Sequence, residues 1–150
     1  MFKSSVKPSE ERIIVDSLPY YPPPRCLGIY VAGKWEEKEA VRTVMAQLRE
    51  AGHYITYDWT VIESDGTRKQ VEEQAKADRA GVISADAFVG VFEKDLAYSG
   101  ALSEMGMALA MGIPVYLIGH AIDRNIFTKL PEVRYGIESL LNGNGDHNGK

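Results

Sequence analysis

The segment Ala87-Phe88-Val89-Gly90-Val91-Phe92 carries no polar side chain at any position. A strand apolar on both faces must be covered on both, and a parallel sheet flanked by helices is the common way to do so. Other strand-length runs fit the same plan. Cys26 to Ala32 reads as a buried first strand, Tyr54 to Tyr57 as the second and Pro114 to Ile118 as the fourth. A short fifth strand is expected at Val133 to Tyr135. Helical patterns separate them. Glu36 to Glu50 places Ala40, Val41, Val44, Met45 and Leu48 inward, and Ala51-Gly52 stops it. Lys69 to Ser84 groups Val71, Ala75, Asp78 and Val82 on one face, Gly100 to Met111 is nearly all apolar, and Ile137 to Leu141 makes a last turn. Gly33-Lys34 and Asp65-Gly66 are turn signals. This alternation predicts a single doubly wound parallel sheet, a flavodoxin-like three-layer α/β/α sandwich with strand order 2-1-3-4-5.

The 150 residues suit one domain. Residues 1–25, with an apolar Ile13 to Val15 and the stretch Tyr20-Tyr21-Pro22-Pro23-Pro24-Arg25, read as an N-terminal arm. The compact domain is expected over 26–141, and 142–150 as a disordered tail.

A formal net charge of -4 argues against a partner such as a nucleic-acid polymer, whose backbone selects clustered Lys and Arg. The single cysteine, Cys26, excludes an intrachain disulfide and a thiolate zinc site. No apolar run approaches the ~20 residues that span a bilayer, so no membrane partner is expected and a cytoplasmic location is the default. Gly28-x-Tyr30-x-Ala32-Gly33 lacks the glycine pattern of a dinucleotide site, and there is no Walker motif. Nicotinamide redox work and nucleotide triphosphate hydrolysis are therefore rejected, and no cofactor or metal is expected.

In a sheet of this order, ligands bind beyond the carboxyl ends of the strands where the order reverses. That crevice would be bounded by Ala32-Gly33-Lys34-Trp35 and by Glu93-Lys94-Asp95. Glu104 stands at or near the first turn of the most apolar helix, where free N–H groups would favour its anion. The plainer alternative is an exposed first-turn glutamate. Asp78 would point at the sheet, or else pair with Arg79 or Lys76 in solvent. Tyr30, near a strand end, could orient a carboxylate or simply fill the core. Ser99 and Gly100 could form an anion nest or an ordinary cap, while Trp35 and Trp59 could stack on a base or close the core. Asp86 reads as a turn or cap residue. His53, His120 and His147 form no ligand cluster by spacing.

Three stretches, Ile29 to Gly33, Ala77 to Ala87 and Ser99 to Ala108, together resemble the nucleoside 2-deoxyribosyltransferase family, whose superfamily includes the 2'-deoxynucleoside 5'-phosphate N-hydrolases and the cytidine-monophosphate hydrolases. The resemblance covers about residues 27–118. It implies a glutamate that displaces the base and forms a covalent glycosyl-enzyme, which a second base or water resolves. Glu104 matches that nucleophile, Tyr30 the tyrosine that positions it, and Asp78 an aspartate that handles the base or its proton. Gly33, Trp35, Tyr98, Ser99 and Gly100 are expected to contact the substrate. Two positions depart from the family pattern: Tyr98 stands where an acidic residue or serine is usual, and Leu102 where a second glycine is usual. The transferases also take an asparagine from a neighbouring subunit, for which Asn125 is the candidate. The apolar helix and the resemblance together predict a homodimer or a dimer of dimers. Three functions stay open: sugar transfer between bases, hydrolysis of a nucleoside 5'-monophosphate, and a non-catalytic nucleotide sensor.

Overall fold

The computed structural model describes residues 26–62, 66–94, 97–119 and 125–142. The arm over 1–25, Asp65, Asp95, His120, His147 and the tail from 143 lie outside the described residues. Residue 142, expected in the tail, instead ends the last helix.

Five parallel strands form one sheet in the order β2-β1-β3-β4-β5, as expected. They are β1 (Gly28–Ala32), β2 (Tyr54–Ile55), β3 (Ala87–Phe92), β4 (Val115–Gly119) and β5 (Val133–Tyr135). Helices α1 (Lys38–Glu50), α2 (Arg68–Ile83), α3 (Ser99–Ala110) and α4 (Glu138–Asn142) complete the three layers. Every residue of β1 and β3 is buried, which is why both sequences are apolar throughout. Alternation along β1 sends Ile29 and Val31 to one face, where Val41, Val44, Met45 and Leu48 of α1 meet them with Leu140 of α4. Tyr30 and Ala32 go to the other face, with Phe88 and Phe92 of β3, Val82 of α2, and Met105 and Ala108 of α3.

Small contacts fix the strand entries. The Asp86 carboxylate accepts from the Gly28 N–H at 2.9 Å, and the Asp86 N–H donates to the Gly28 carbonyl at 2.7 Å. Gly52 closes α1 at φ 101°, the left-handed region that glycine adopts without strain. His53 is buried and structural. Its Nδ1 accepts from the Leu27 N–H at 3.1 Å, so its Nε2 carries the proton and donates to the Leu140 carbonyl at 2.8 Å.

All four helices shift by one or two residues from their sequence reading, α1 because Trp35–Glu37 forms a 3-10 turn ahead of it, and two of the shifts bear on the site. α2 begins at Arg68, because Thr67 and Gln70 form a capping box. Its inward stripe is Gln74, Asp78, Gly81 and Val82, whereas Val71 and Ala75 are exposed. α3 begins at Ser99 with Tyr98 as its N-cap, so Glu104 is in the second turn rather than the first. No helix among the described residues is long and apolar enough to cross a membrane.

Candidate active site

Tyr30 sits mid-strand in β1, beside Phe88 of β3, with ring centroids 6.0 Å apart. Its ring extends over the sheet toward the gap between α2 and α3. α2 can approach because residue 81 is glycine. A Cβ there would lie 2.9 Å from the Tyr57 Cβ and 3.0 Å from Cδ1 of the Tyr30 ring. That close approach brings Asp78, one turn earlier on α2, within reach of the phenol. The Tyr30 hydroxyl lies 2.9 Å from the Asp78 carboxylate and 3.0 Å from the Glu104 carboxylate. Residues from a strand and two helices, far apart in sequence, thus converge on one oxygen.

That oxygen carries a single proton. It can donate to one carboxylate at a time, and the second is satisfied when it holds a proton and donates back. Burial and the two flanking carboxylates drive the Tyr30 phenol far above its ordinary range, so it stays a donor. Burial also pushes Glu104 up to about 7, the Asp78 charge adds to the rise, and the Tyr30 hydrogen bond opposes it. Asp78 is raised as well, by burial against the Tyr30 hydrogen bond. This corrects the expectation that the helix start keeps Glu104 ionised. The free N–H groups belong to residues before Leu102, whose N–H already donates to the Tyr98 carbonyl. Glu104 is past them, and desolvation prevails.

The three side chains line a cavity of about 600 Å³ at the carboxyl ends of β1 and β3. Gly33 and Trp35 from the β1–α1 turn and Gly100 from the start of α3 line it too. Trp59, Ile62, Gln74 and Ala101 complete it. Trp59 is held firmly. Its indole N–H donates to the Val31 carbonyl at 2.8 Å, and Arg42 of α1 donates to the Thr60 carbonyl at 2.6 Å. Hydrogen bonds from Thr60 and Arg49 outweigh a burial penalty and keep the neighbouring Asp58 carboxyl below its usual range.

Some expected substrate contacts fall elsewhere. Tyr98 is buried and outside the lining. Its ring packs on Phe92 at 4.7 Å, and its hydroxyl lies 2.7 Å from the Glu37 carboxylate and 2.8 Å from the Lys94 carbonyl, with one proton to give to either. It anchors the β3–α3 connection to the β1–α1 turn. Ser99 is exposed and also outside the lining, with its carbonyl accepting from the Ser103 hydroxyl. Asn125 caps a 3-10 turn by accepting from the Phe127 N–H at 2.9 Å, beside a separate groove on α3. Ile62 and Gln74 were not singled out from the sequence. Gln74 precedes Asp78 by one helical turn, a spacing that marks it once Asp78 is known to face inward. Among the described residues no group of three or more His, Cys, Asp or Glu could hold a metal ion.

Residues 29–134 match the family described as Nucleoside 2-deoxyribosyltransferase. The chain belongs to that family. As a nucleoside 2-deoxyribosyltransferase family member it shares its fold with solved structures at low identity. The 2-deoxyribosyltransferase of Bacillus psychrosaccharolyticus superposes with a TM-score of 0.63 at 20% identity, over 77% of this chain and 90% of that one. The CMP N-glycosidase of Clostridium botulinum gives 0.53 at 20% identity, over 72% and 86%. A conserved protein of Enterococcus faecalis gives 0.56 at 18% identity, over 82% and 99%. No curated protein matches the chain significantly.

Proposed function

We propose that this family member cleaves the N-glycosidic bond of a 2'-deoxynucleoside through a covalent glycosyl-glutamate and transfers the sugar to a second base. One observation carries the reading: a single phenol stands between two carboxyls, at 2.9 and 3.0 Å, on the wall of a nucleoside-sized cavity.

The roles divide by environment. Glu104, as the anion, attacks the anomeric carbon C1' while the C1'–N bond breaks. Asp78, its carboxyl raised above the ordinary range by burial, takes the proton the pair shares and gives it to the departing ring nitrogen. Tyr30 donates to Glu104 before attack. Once Glu104 is a neutral ester, it turns its one proton to the newly ionised Asp78. A second base then attacks C1', its ring proton returns to Asp78, and Glu104 leaves as the carboxylate. Two contacts to one phenol keep the two bonded carboxyl oxygens within about 6 Å of each other, short of the ~6.5–9.5 Å separation that leaves room for a positioned water. Gly33, Trp35 and Gly100 then border the sugar and base, and the firmly held Trp59 supplies a flat apolar wall.

The test is a mixture of one 2'-deoxynucleoside and a different free base. A new nucleoside is the expected product. Free sugar and base alone would assign hydrolysis, and a parallel arm with the 5'-monophosphate would identify that substrate. Binding without any release of base, across nucleosides and nucleotides, would leave only a sensor. The reading also includes self-association through the outer face of α3, where Leu102 and Leu109 line a groove with Phe127, itself 55% exposed. Sedimentation equilibrium is expected to give a dimer or tetramer, and a concentration-independent monomer mass would remove that part.

A further inference from the structure

We propose that Gln74 reads the edge of the departing base and selects bases that carry an amino group beside a ring nitrogen, as adenine and cytosine do. The inference rests on the glycosidic reading of the cavity. Two neutral polar groups on its inner wall are already committed. The Tyr30 hydroxyl serves Asp78 and Glu104, and the Trp59 indole N–H serves the Val31 carbonyl. Gln74 lines the same cavity, is half-buried, and makes no hydrogen bond with any described residue. A half-buried amide with no partner loses its water when a ligand enters, so a matched edge is favoured and a mismatched one is penalised.

Its position fits that task. Gln74 and Asp78 share the inward stripe of α2, four residues or about 6 Å apart along its axis. α2 runs antiparallel to the strands, so Gln74 is the nearer of the two to the rim. A base whose glycosidic nitrogen faces Asp78 can lay its polar edge along the helix toward Gln74. Trp59 and Ile62 cover an apolar face of the same space.

A carboxamide offers an N–H and a C=O side by side. The N–H meets a ring nitrogen and the C=O meets an exocyclic amino group, the pairing glutamine makes with adenine. A keto base offers a ring N–H and a carbonyl, which a flipped amide could also meet. The surrounding charge decides between them. Among the described residues the lining contains two carboxyls and no cationic side chain. Carbonyl oxygens would aim negative partial charge at a negative site, and amino groups aim positive charge there.

The experiment measures calorimetric binding to the unsubstituted full chain, which keeps both carboxyls, using ligands whose sugar ring is replaced by its carbocycle so that turnover is blocked. The ligands are these analogues of 2'-deoxyadenosine against 2'-deoxyinosine and of 2'-deoxycytidine against 2'-deoxyuridine, each also as the 5'-monophosphate. Amino members are expected to bind at least about tenfold tighter. Gln74→Leu should bring both ratios to within about twofold, mainly by weakening the amino ligands. Thermal melts confirm that the variant folds. Equal affinities in the parent, or ratios that survive Gln74→Leu, would overturn the assignment. Gln74-dependent binding with no base release from the natural 2'-deoxynucleosides by the unsubstituted chain would overturn the glycosidic reading alone. Base release with Gln74-independent ratios would overturn the Gln74 assignment alone, and failure of every ligand to bind would overturn both.

Discussion

On the face of the sheet covered by α1 and α4, Val41, Val44, Met45 and Leu48 pack on Ile29, Val31 and Val89. The polar residue His53 at its edge has both ring nitrogens paired. On the face covered by α2 and α3, an equally apolar cluster around Phe88, Phe92 and Met105 surrounds a phenol and two carboxyls that cannot all be satisfied without an extra proton. One face is a hydrophobic core in the ordinary sense. The other gives up part of its stability to hold titratable groups out of water, which is what proton transfer near neutrality requires. On the proposed function, the contrast makes the sheet a platform stabilised from one side and used from the other.

Paired truncations should break that symmetry most visibly. Glu104→Ala is expected to cut base release by at least about a thousandfold with no loss of unfolding free energy near neutrality. Leu48→Ala is expected to do the reverse, costing about 2–5 kcal/mol by denaturant titration while kcat per folded molecule holds. Loss of turnover in a folded Leu48→Ala chain, or retention in Glu104→Ala, would erase the distinction.

Two helical glycines sharpen it next. A methyl group at Gly81 would press on Tyr57 and on the Tyr30 ring, while one at Gly106 meets nothing within 4 Å. Gly106→Ala should therefore stabilise by up to about 1 kcal/mol through helix propensity. Gly81→Ala should displace α2 and lower kcat about tenfold by moving Asp78 off the phenol. Steady-state kinetics and thermal melts on the two variants test this together.

Stability against pH gives a smaller effect. Glu104 titrates at about 7 in the folded chain, against an ordinary value of 4.5. The folded state therefore binds more protons between those values, and this group's contribution to stability is lost as pH climbs from about 4.5 to about 7. Glu104→Gln should flatten that decline and raise Tm at pH 8 by about 3–8 °C. Finest of all is a shift in the acid limb of kcat/KM, which should rise through about pH 7 as Glu104 ionises. Tyr30→Phe removes the hydrogen bond that favours the anion, so the limb moves to higher pH.

The purely structural face was the more legible of the two in the sequence. The inner residues of α1, the bounds of β3 and β5 and the strand order follow from apolar periodicity, and the structure agrees with each. α2 was harder because its inward stripe of Gln74, Asp78 and Gly81 is not apolar. Periodicity drew Val71 and Ala75 inward, where the structure exposes them. The capping pair Thr67 and Gln70 was readable and would have started the helix one residue earlier. Tyr98 shows another limit. Its position in the family pattern suggested a substrate contact, but an aromatic ring has more to gain by packing on Phe92 than by facing water. The convergence of Tyr30, Asp78 and Glu104 depends on three elements meeting, and only the family resemblance grouped them beforehand.

The most direct test is a rapid acid quench of the chain during turnover of a 2'-deoxynucleoside, followed by mass spectrometry of its peptides. A deoxyribosyl group on the peptide containing Glu104, gone when a second base is added and missing from Glu104→Gln, is the predicted result. Base release at an unchanged rate with the sugar attached to another side chain, or to none, would contradict it.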